Sequence, residues 1–451
     1  MAAVMWFRRD LRLNDNPALA RAAESGDVLG LFVLDPVLLA RSGATRLDWL
    51  AASLRSLNAS MAGSLLVLEG PPAEVVPTVA AEVGADTVQV AADYGPYGRR
   101  RDIRVAERLT ADGRALVATG SPYAVAPGRI RKSDGTAYRV FTPFFRGWSD
   151  HGWRAPLDSA DGVRWHEPRV PAAAWAPSRE GTSNLPGPVG ETAALQRWQQ
   201  FRATSLDHYD QNRDRPDLDG TSMLSSHLRW GEIHPRTLLA DLDDSPGAQA
   251  FRRQLAFRDF YADILARDPA AATTSMDPRF NSPTMYRSGP AAEADFDRWT
   301  RGETGYPFVD AGMRQLRQTG WLHNRVRMVV ASFLVKDLLV PWWRGADWFL
   351  LSLADGDLAN NSQGWQWVAG CGTDAAPYFR IFNPVTQGRK FDPAGDYVRR
   401  YVPELSHIAG AAVHEPWLLP TPPPDYPGPM VDHKSARADA LARYGALRTA
   451  T

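Results

Sequence analysis

The chain has 451 residues, which is long enough for two domains. Its content of 44% hydrophobic and 23% charged residues is ordinary for a globular protein, and its net charge of zero means that any nucleic-acid binding would need a local basic surface. No run of about 18 apolar residues and no secretory signal occur, which predicts a cytoplasmic protein without a membrane partner. The single cysteine, Cys371, excludes an internal disulfide and a four-cysteine metal site, so no metal is expected.

The first third of the chain alternates short apolar runs with helical patterns. The apolar runs are residues 4–7, 29–34, 65–68, 88–90 and 116–118. This alternation predicts a doubly wound α/β domain with a parallel sheet over residues 1–125. Asn16 followed by Pro17 predicts a capped helix over residues 18–23. No Gly-rich fingerprint follows the first run, so a nicotinamide-binding domain is not indicated.

The rest of the chain divides by composition. Residues 126–190 are rich in Pro, Gly, Arg and Ser, which predicts an interdomain linker with one short helix near residues 141–148. Residues 191–451 carry helical patterns and predict an all-α second domain that ends in a Pro-rich stretch and an Ala/Arg-rich helix. The clearest helical segments are residues 192–204, 248–266, 308–319 and 326–339.

Residues 355–384, DGDLANNSQGWQWVAGCGTDAAPYFRIFNP, combine carboxylates, adjacent amides, indoles and glycines. A packed core favours aliphatic residues, so this composition indicates a site for a polar, planar redox cofactor. The alternative is a Trp-rich helical core with capping Asp and Asn residues.

This segment resembles the flavin-binding and electron-transfer segment of the DNA photolyase and cryptochrome family. Further matches are MWFRRDLRL at residues 5–13, GTSMLSSHLRWGEIHPR at 220–236, GWLHNRVRMVVASFLVKD at 320–337 and HEPW at 414–417. The chain is therefore identified as a member of this family, most similar to class I cyclobutane pyrimidine dimer photolyases. The resemblance implies FAD in the helical domain and an antenna chromophore in the α/β domain.

The resemblance also implies which residues bind FAD. They are Tyr209, Thr221, Ser222, Met223, Leu224, Ser225, Arg258, Trp321, Asp355, Gly356, Asp357 and Asn361. Met223 replaces an arginine of the family pattern, so one charged contact to the diphosphate is expected to be missing. Helix capping is the alternative role for Thr221 and Ser222, and also for Asp355 and Asp357.

An electron path to the flavin follows from the same resemblance. Asn361 is expected against flavin N5, Trp365 beside the flavin, and Trp342 as the next indole outward. The outermost tryptophan of the family aligns with Gly289. The candidates for the exit are Tyr286, Trp299, Trp343 and Trp348. Ordinary core packing is the alternative role for the tryptophans.

The resemblance implies that the partner is UV-damaged DNA. The protein is expected to be a monomer. The residues expected to contact the DNA are Arg213, Gln254, Phe257, Asn324, Arg325, Met328 and Trp367. Asn324 and Met328 lie four residues apart and therefore share one helix face. Repair of (6-4) lesions would need histidines where this chain has Asn324 and Met328, so we expect cyclobutane dimers to be the substrate.

The expected reaction is light-dependent splitting of the dimer, with Gln254, Asn324, Asn361, Trp342 and Trp365 as its catalytic residues. The family has Glu and Trp where this chain has Gln254 and Phe257, which predicts weaker repair. The alternative is therefore a cryptochrome-like flavin photoreceptor with little or no repair. The α/β half alone would also allow a nucleotide-binding protein of universal-stress type, but that reading leaves the helical half unexplained.

The antenna site is expected to include Arg9, Asp10, Asp35 and Arg99. The run DYGPYGRRRD at residues 93–102 resembles relatives that use 8-hydroxy-5-deazaflavin more than those that use methenyltetrahydrofolate. For Arg99, Arg100 and Arg101, a solvated helix face is the alternative.

Overall fold

The structure is a computed structural model that describes residues 2–159, 162–167, 185–374 and 380–449. The chain forms two compact units, each built from separate stretches of sequence. The first unit comprises Met1–Asp207, Ser222–Pro269 and Ala354–Ala359, and the second comprises His208–Thr221, Ala270–Leu353 and Asn360–Thr451. The domain boundaries stated above stay a prediction.

A five-stranded parallel sheet forms the centre of the first unit, in the order β3-β2-β1-β4-β5. The strands are β1 (Ala3–Phe7), β2 (Val28–Leu34), β3 (Leu65–Glu69), β4 (Thr87–Val90) and β5 (Ala115–Ala118). In β1, Val4 pairs with Leu29 of β2 and with Val88 of β4. The predicted fold class, a doubly wound α/β domain followed by a helical domain, is confirmed.

The central strands β1 and β2 are apolar and fully buried because both faces of the sheet are covered there. Met5 and Phe7 of β1 lie in one buried cluster, whereas Val4 and Trp6 lie in the other. Successive side chains of a strand point to opposite faces, so one strand contributes to two cores. All five residues of β1 are buried.

The described part of the chain contains nineteen α-helices. They are α1 (Pro17–Ala23), α2 (Pro36–Leu39), α3 (Ala44–Ser60), α4 (Pro72–Glu82), α5 (Pro96–Ala111), α6 (Phe141–His151), α7 (Glu191–Thr204), α8 (Tyr209–Asn212), α9 (Ser225–Trp230), α10 (Pro235–Ala240), α11 (Pro246–Arg267), α12 (Pro290–Arg301), α13 (Pro307–Thr319), α14 (Asn324–Ser332), α15 (Trp342–Ser352), α16 (Leu358–Ala369), α17 (Pro384–Phe391), α18 (Asp396–Tyr401) and α19 (His433–Thr449).

Two predicted helices show how local sequence determines their ends. The side chain of Asn16 accepts a hydrogen bond from the backbone N–H of Leu19, which confirms the predicted cap of α1. The helix predicted over residues 326–339 differs, since the α-helix ends at Ser332 and continues as the π-helical segment Phe333–Asp337. In the described ranges, no helix has both the length and the apolar character needed to span a membrane.

Candidate functional site

Asp355 and Asp357 lie in the turn that precedes α16, and both are buried in the first unit. Gly356, between them, lies so close to Arg46 that a Cβ atom at this position would clash with the guanidinium. Asp357 immediately precedes Leu358, the first residue of α16. The alternative role of Asp357 as a helix cap therefore stays open. The glycine therefore allows the guanidinium of Arg46 to approach the backbone between the two carboxylates.

Three arginines surround this turn. Arg9 Nη2 donates to Asp357 Oδ2 at 2.6 Å, and Arg229 Nε donates to the carbonyl oxygen of Gly356 at 3.0 Å. Arg46 interacts electrostatically with both Asp355 and Asp357. We call these five residues the arginine–aspartate cluster: Arg9, Arg46, Arg229, Asp355 and Asp357. Asp93 acts as a further counter-charge on Arg9 and Arg229.

Burial changes the titration of these arginines. It lowers the pKa of Arg229 to about 9, and the neighbouring charges of Arg9 and Arg46 act in the same direction. Burial also lowers the pKa of Arg46 to about 10, although Asp355 and Asp357 oppose the shift. Burial also tends to lower the pKa of Arg9. Tyr123 and Asp357 outweigh this effect and raise the pKa above its ordinary value. Additional negative charge would therefore stabilise the cluster.

One donor of this cluster has no acceptor. Arg229 Nη1 is buried and forms no hydrogen bond within the described part of the protein. A buried, unpaired donor among three guanidiniums fits a ligand with phosphate or carbonyl oxygens. The residues present therefore fit a polar, anionic cofactor such as FAD. Sequence reasoning missed Arg46 and Arg229, although Arg229 lies within the segment 220–236 that it had singled out.

The predicted antenna residues occupy different surroundings in the same unit. Arg9 belongs to the arginine–aspartate cluster, whereas Asp10 is buried and accepts a hydrogen bond from the backbone N–H of Arg8 at 2.7 Å. Asp35 Oδ2 accepts a hydrogen bond from the Tyr97 hydroxyl at 2.5 Å. Arg99 is exposed and donates to the carbonyl oxygen of Ala266 at 3.1 Å.

The solvated-face interpretation of the run of three arginines in α5 holds for Arg99 and Arg100 but is wrong for Arg101. Arg101 is buried, and its guanidinium donates to Asp93 and Asp102. It also lies 5.1 Å from the centre of the Trp6 ring. Arg101 therefore links α5 to Asp93 and to Trp6 of β1.

Of the predicted phosphate-contacting residues, Ser222, Met223 and Leu224 directly precede α9, and Ser225 is its first residue. The helix begins after Leu224, so capping of α9 by Thr221 or Ser222, the alternative role, is wrong. Ser222 Oγ instead accepts from the backbone N–H of Leu224 at 3.4 Å. Met223 has a φ of 56°, the left-handed region that non-glycine residues adopt rarely. The backbone is strained at the position where the family has arginine.

Arg258, another predicted cofactor residue, is already engaged by the backbone. Its Nη1 donates to the carbonyl oxygen of Pro122 at 2.7 Å, and its Nη2 donates to that of Leu228 at 3.0 Å. The guanidinium also lies over the ring of Tyr123, at 4.7 Å from its centre. These contacts hold the segments around Pro122 and Leu228 against α11.

In the second unit, predicted binding residues lie on α8 and around the start of α14. Tyr209 is buried, which raises the pKa of its hydroxyl to about 12. Asn324 is exposed, and Arg325 Nη2 donates to Asp214 Oδ2 at 2.8 Å. The Arg325 guanidinium also lies 4.4 Å from the centre of the Phe391 ring. Arg325 is thus held by a carboxylate on one side and an aromatic ring on the other.

The remaining predicted residues of this unit are half-buried: Arg213, Trp321, Met328 and Trp367. Met328 and Trp367 pack against the hydrophobic core. Trp321 lies edge-on to His323, whose Nδ1 accepts the backbone N–H of Arg325 and so caps α14.

Asn361 and Trp365 lie on α16 in the same unit. Asn361 Nδ2 donates to the carbonyl oxygen of Ala346 at 2.9 Å, which directs the amide and leaves its oxygen available as an acceptor. Trp365 is buried and contacts Trp299 and Phe349 edge-to-face, with ring centres 6.2 and 5.0 Å apart. A Cβ atom on Gly345 would clash with the Trp365 ring, so this glycine is required by the indole.

Trp342 is fully buried, and its Nε1 donates to Ser275 Oγ at 2.9 Å. Its ring centre lies 5.9 Å from that of Trp343, which in turn lies 5.3 Å from that of Tyr286. Trp343 is half-buried, whereas Trp299 is fully buried. Among the candidate exit residues, Trp343 is therefore the one that both contacts Trp342 and reaches the surface.

Gln254 and Phe257 lie on α11 of the first unit. The Phe257 ring stacks on that of Phe141, with centres 3.4 Å apart and planes 7° apart. The amide of Gln254 makes one long contact, 3.5 Å from Nε2 to the carbonyl oxygen of Ala250. Phe257 is thus fixed in orientation, while Gln254 keeps most of its hydrogen-bonding capacity.

Comparison with known proteins matches residues 3–161 to the DNA photolyase family and residues 251–446 to the FAD binding domain of DNA photolyase. The deoxyribodipyrimidine photo-lyase of Streptomyces griseus is 42% identical over 454 residues, with 97% of each chain covered. A bacterial class III photolyase from Agrobacterium tumefaciens is 37% identical with a TM-score of 0.88, covering 99% of this chain and 98% of its own. A cryptochrome from Synechocystis is 27% identical with a TM-score of 0.89, covering 98% of both chains. The chain belongs to the DNA photolyase family.

Proposed function

We propose that this protein is a deoxyribodipyrimidine photo-lyase that uses light to split cyclobutane pyrimidine dimers in UV-damaged DNA. The observation that carries the proposal is the 42% identity to a relative of that name across 97% of both chains. A dimer weakens stacking and pairing, so the lesion can be flipped out of the duplex at a small energetic cost. Binding of the flipped dimer is assigned to Gln254, Phe257, Asn324, Arg325 and Met328.

Bound FAD, once reduced and excited by light, would supply an electron that opens the dimer and then returns to the flavin, while the protein supplies binding and orientation. The arginine–aspartate cluster is proposed to hold the polar part of the cofactor, because Arg229 Nη1 is a buried donor without an acceptor in the described structure. Asn361 is proposed to accept a hydrogen bond from the flavin through Oδ1, since its Nδ2 is engaged by Ala346.

Reduction of the cofactor in light needs a path for electrons from the protein surface. We assign Trp365 and Trp342 to this path and Trp343 to its exit, in place of the missing tryptophan at Gly289. The contact of Trp343 with Trp342, at 5.9 Å between ring centres, supports this assignment. Tyr286 is a poorer exit because burial raises the pKa of its hydroxyl well above the usual range, which disfavours loss of the proton.

The α/β half is proposed to bind 8-hydroxy-5-deazaflavin as an antenna, with Arg9, Asp10, Asp35 and Arg99 around it. The hydrogen-bonded pair of Asp35 and Tyr97, the latter on α5, offers a polar surface for such a ligand. Extraction of the purified protein and chromatography of the released chromophores tests this, since a folate or no second chromophore would contradict it. The monomeric state and the cytoplasmic location stay predictions.

A light-dependent assay tests the function directly. Purified protein with reduced FAD is incubated with an oligonucleotide that bears one thymine dimer, and illuminated samples are compared with dark ones. We expect intact thymines to be restored in the light alone. If FAD is bound and illumination restores no thymines, the repair proposal is wrong and the cryptochrome-like alternative takes its place.

That alternative has a specific observation in its favour. The pocket residues Gln254 and Phe257 depart from the family pattern, and a cryptochrome has the same fold with a TM-score of 0.89. It predicts binding of FAD and a response of the flavin to light, without loss of dimers from DNA.

A further inference from the structure

Arg253 on α11 has an arrangement that neither the family pattern nor the comparisons assign. Its guanidinium carbon lies 5.2 Å from the centre of the Phe141 ring and 4.8 Å from that of the Phe145 ring. Within the described ranges, the side chain of Arg253 forms no hydrogen bond and no ion pair, and it is half-buried. The guanidinium is therefore held by two aromatic rings while its N–H donors remain available.

The neighbouring arginine provides a contrast. Arg252 donates to Asp244 Oδ1 at 3.3 Å and to the carbonyl oxygens of Leu242 and Asp243 at 3.3 and 3.0 Å. Its donors are occupied and its charge is compensated by a carboxylate. Arg253 lies one residue further along the helix. In the described part of the chain, its side chain has neither an acceptor for its N–H donors nor a carboxylate partner.

Position on the helix connects Arg253 with the proposed dimer site. Arg253 precedes Phe257 by four residues, so both side chains lie on one face of α11. Phe141 contacts both of them, since it stacks on Phe257 and underlies the Arg253 guanidinium. An uncompensated guanidinium beside a half-buried aromatic ring combines the two features that bind nucleic-acid strands, a phosphate donor and a stacking surface.

We propose that Arg253, oriented by Phe141 and Phe145, binds a backbone phosphate of the DNA strand that carries the dimer. This inference rests on the proposed function and adds a contact to it. Two aromatic faces restrict the guanidinium in advance, which lowers the entropy lost on binding the phosphate. The planar fork of donors suits the paired oxygens of a phosphodiester.

The test compares two adjacent charge-removing variants, Arg253→Gln and Arg252→Gln, in the dark. Binding to a fluorescent oligonucleotide with one thymine dimer is measured by anisotropy over a series of NaCl concentrations. For Arg253→Gln we expect several-fold weaker binding and a salt-dependence slope reduced by about one, because one phosphate contact is lost. For Arg252→Gln we expect wild-type affinity and slope, since Arg252 is already paired.

Arg253→Lys serves as a second variant if Arg253→Gln alters the melting temperature. Lysine keeps the charge but cannot present the planar fork, so we expect the slope of the wild type with an intermediate affinity. Equal slopes for Arg253→Gln and Arg252→Gln, or wild-type affinity for Arg253→Lys, would overturn the inference. A wild-type protein that does not prefer dimer-bearing DNA over undamaged DNA would instead refute the proposed function.

Discussion

Arg9 and Asp357 form an ion pair in the first unit, with 2.6 Å between Nη2 and Oδ2, although 348 positions separate them in the sequence. Arg9 was expected at the antenna and Asp357 at the flavin, so one contact joins residues from two predicted groups. The other two arginines of the arginine–aspartate cluster depend on the same carboxylate, since Asp357 favours the charged forms of Arg46 and Arg229. Asp357 therefore acts as a counter-charge to all three arginines of the cluster.

Asp357→Asn should lower both stability and FAD content. The substitution leaves the three guanidiniums of the cluster with one of its two carboxylates, and removing one partner of a largely buried ion pair costs about 3 kcal/mol. We expect that loss in the free energy of unfolding, measured by urea denaturation, together with a lower ratio of flavin to protein absorbance after purification.

Glu24→Gln is the matched control for this variant. It removes a carboxylate from an exposed pair, that of Arg21 and Glu24, and should change stability by less than about 0.5 kcal/mol. An Asp357→Asn protein with the stability and FAD content of the control would show that Asp357 has neither role.

The sequence predicted the parts of the fold that depend on local pattern. The strands of the first unit and the cap formed by Asn16 could be predicted because hydrophobic runs and capping residues act over a few positions. The contact of Arg46 with Gly356 could not, since it joins segments from distant parts of the chain and has no periodic signature. Likewise the burial of Arg101 depends on Asp93 and Trp6, so a helical run of three arginines does not reveal it.

Trp343→Phe should slow the reduction of bound FAD by light. Trp343 contacts Trp342 and reaches the surface, and phenylalanine fills similar space but is much harder to oxidise. We expect photoreduction with dithiothreitol as the external reductant to slow several-fold, followed by the fall in oxidised-flavin absorbance. Transient absorption should also show a shorter-lived tryptophan radical, a readout that does not depend on DNA repair.

Trp348→Phe is the control, because Trp348 is also half-buried on α15. Its photoreduction rate should match that of the wild type. If both variants reduce FAD at the wild-type rate, electrons leave by another residue.

Lys336 should make stability depend on pH in the alkaline range. Burial lowers the pKa of this lysine from 10.5 to about 7, although it remains close to Asp337. Between these values the unfolded chain binds a proton that the folded protein does not, so the free energy of unfolding should rise as the pH rises from about 7 to about 10.5. The contribution of this group is at most about 1.4 kcal/mol per pH unit.

Urea denaturation of Lys336→Met and of Lys434→Met across this range checks the prediction. The Lys336 variant should lose the rise, whereas the variant of the exposed Lys434 should keep it. If the free energy of unfolding depends on pH in the same way for the wild type and for Lys336→Met, Lys336 is not the group that causes the rise.

Reversion of Gln254 and Phe257 should raise repair. The family has a glutamate and a tryptophan at these positions, and Gln254→Glu restores a group that can donate a stronger hydrogen bond to the dimer when protonated. Phe257→Trp enlarges the stacking surface, and Phe141 offers a parallel ring, at 3.4 Å between centres, that can orient the new indole. We expect the double variant to repair several-fold more dimers per absorbed photon than the wild type. Phe251→Trp, the same substitution at a buried position of α11, should not raise the repair yield. Equal repair yields for the double variant and the wild type, at equal FAD content, would show that the two substitutions do not limit the reaction.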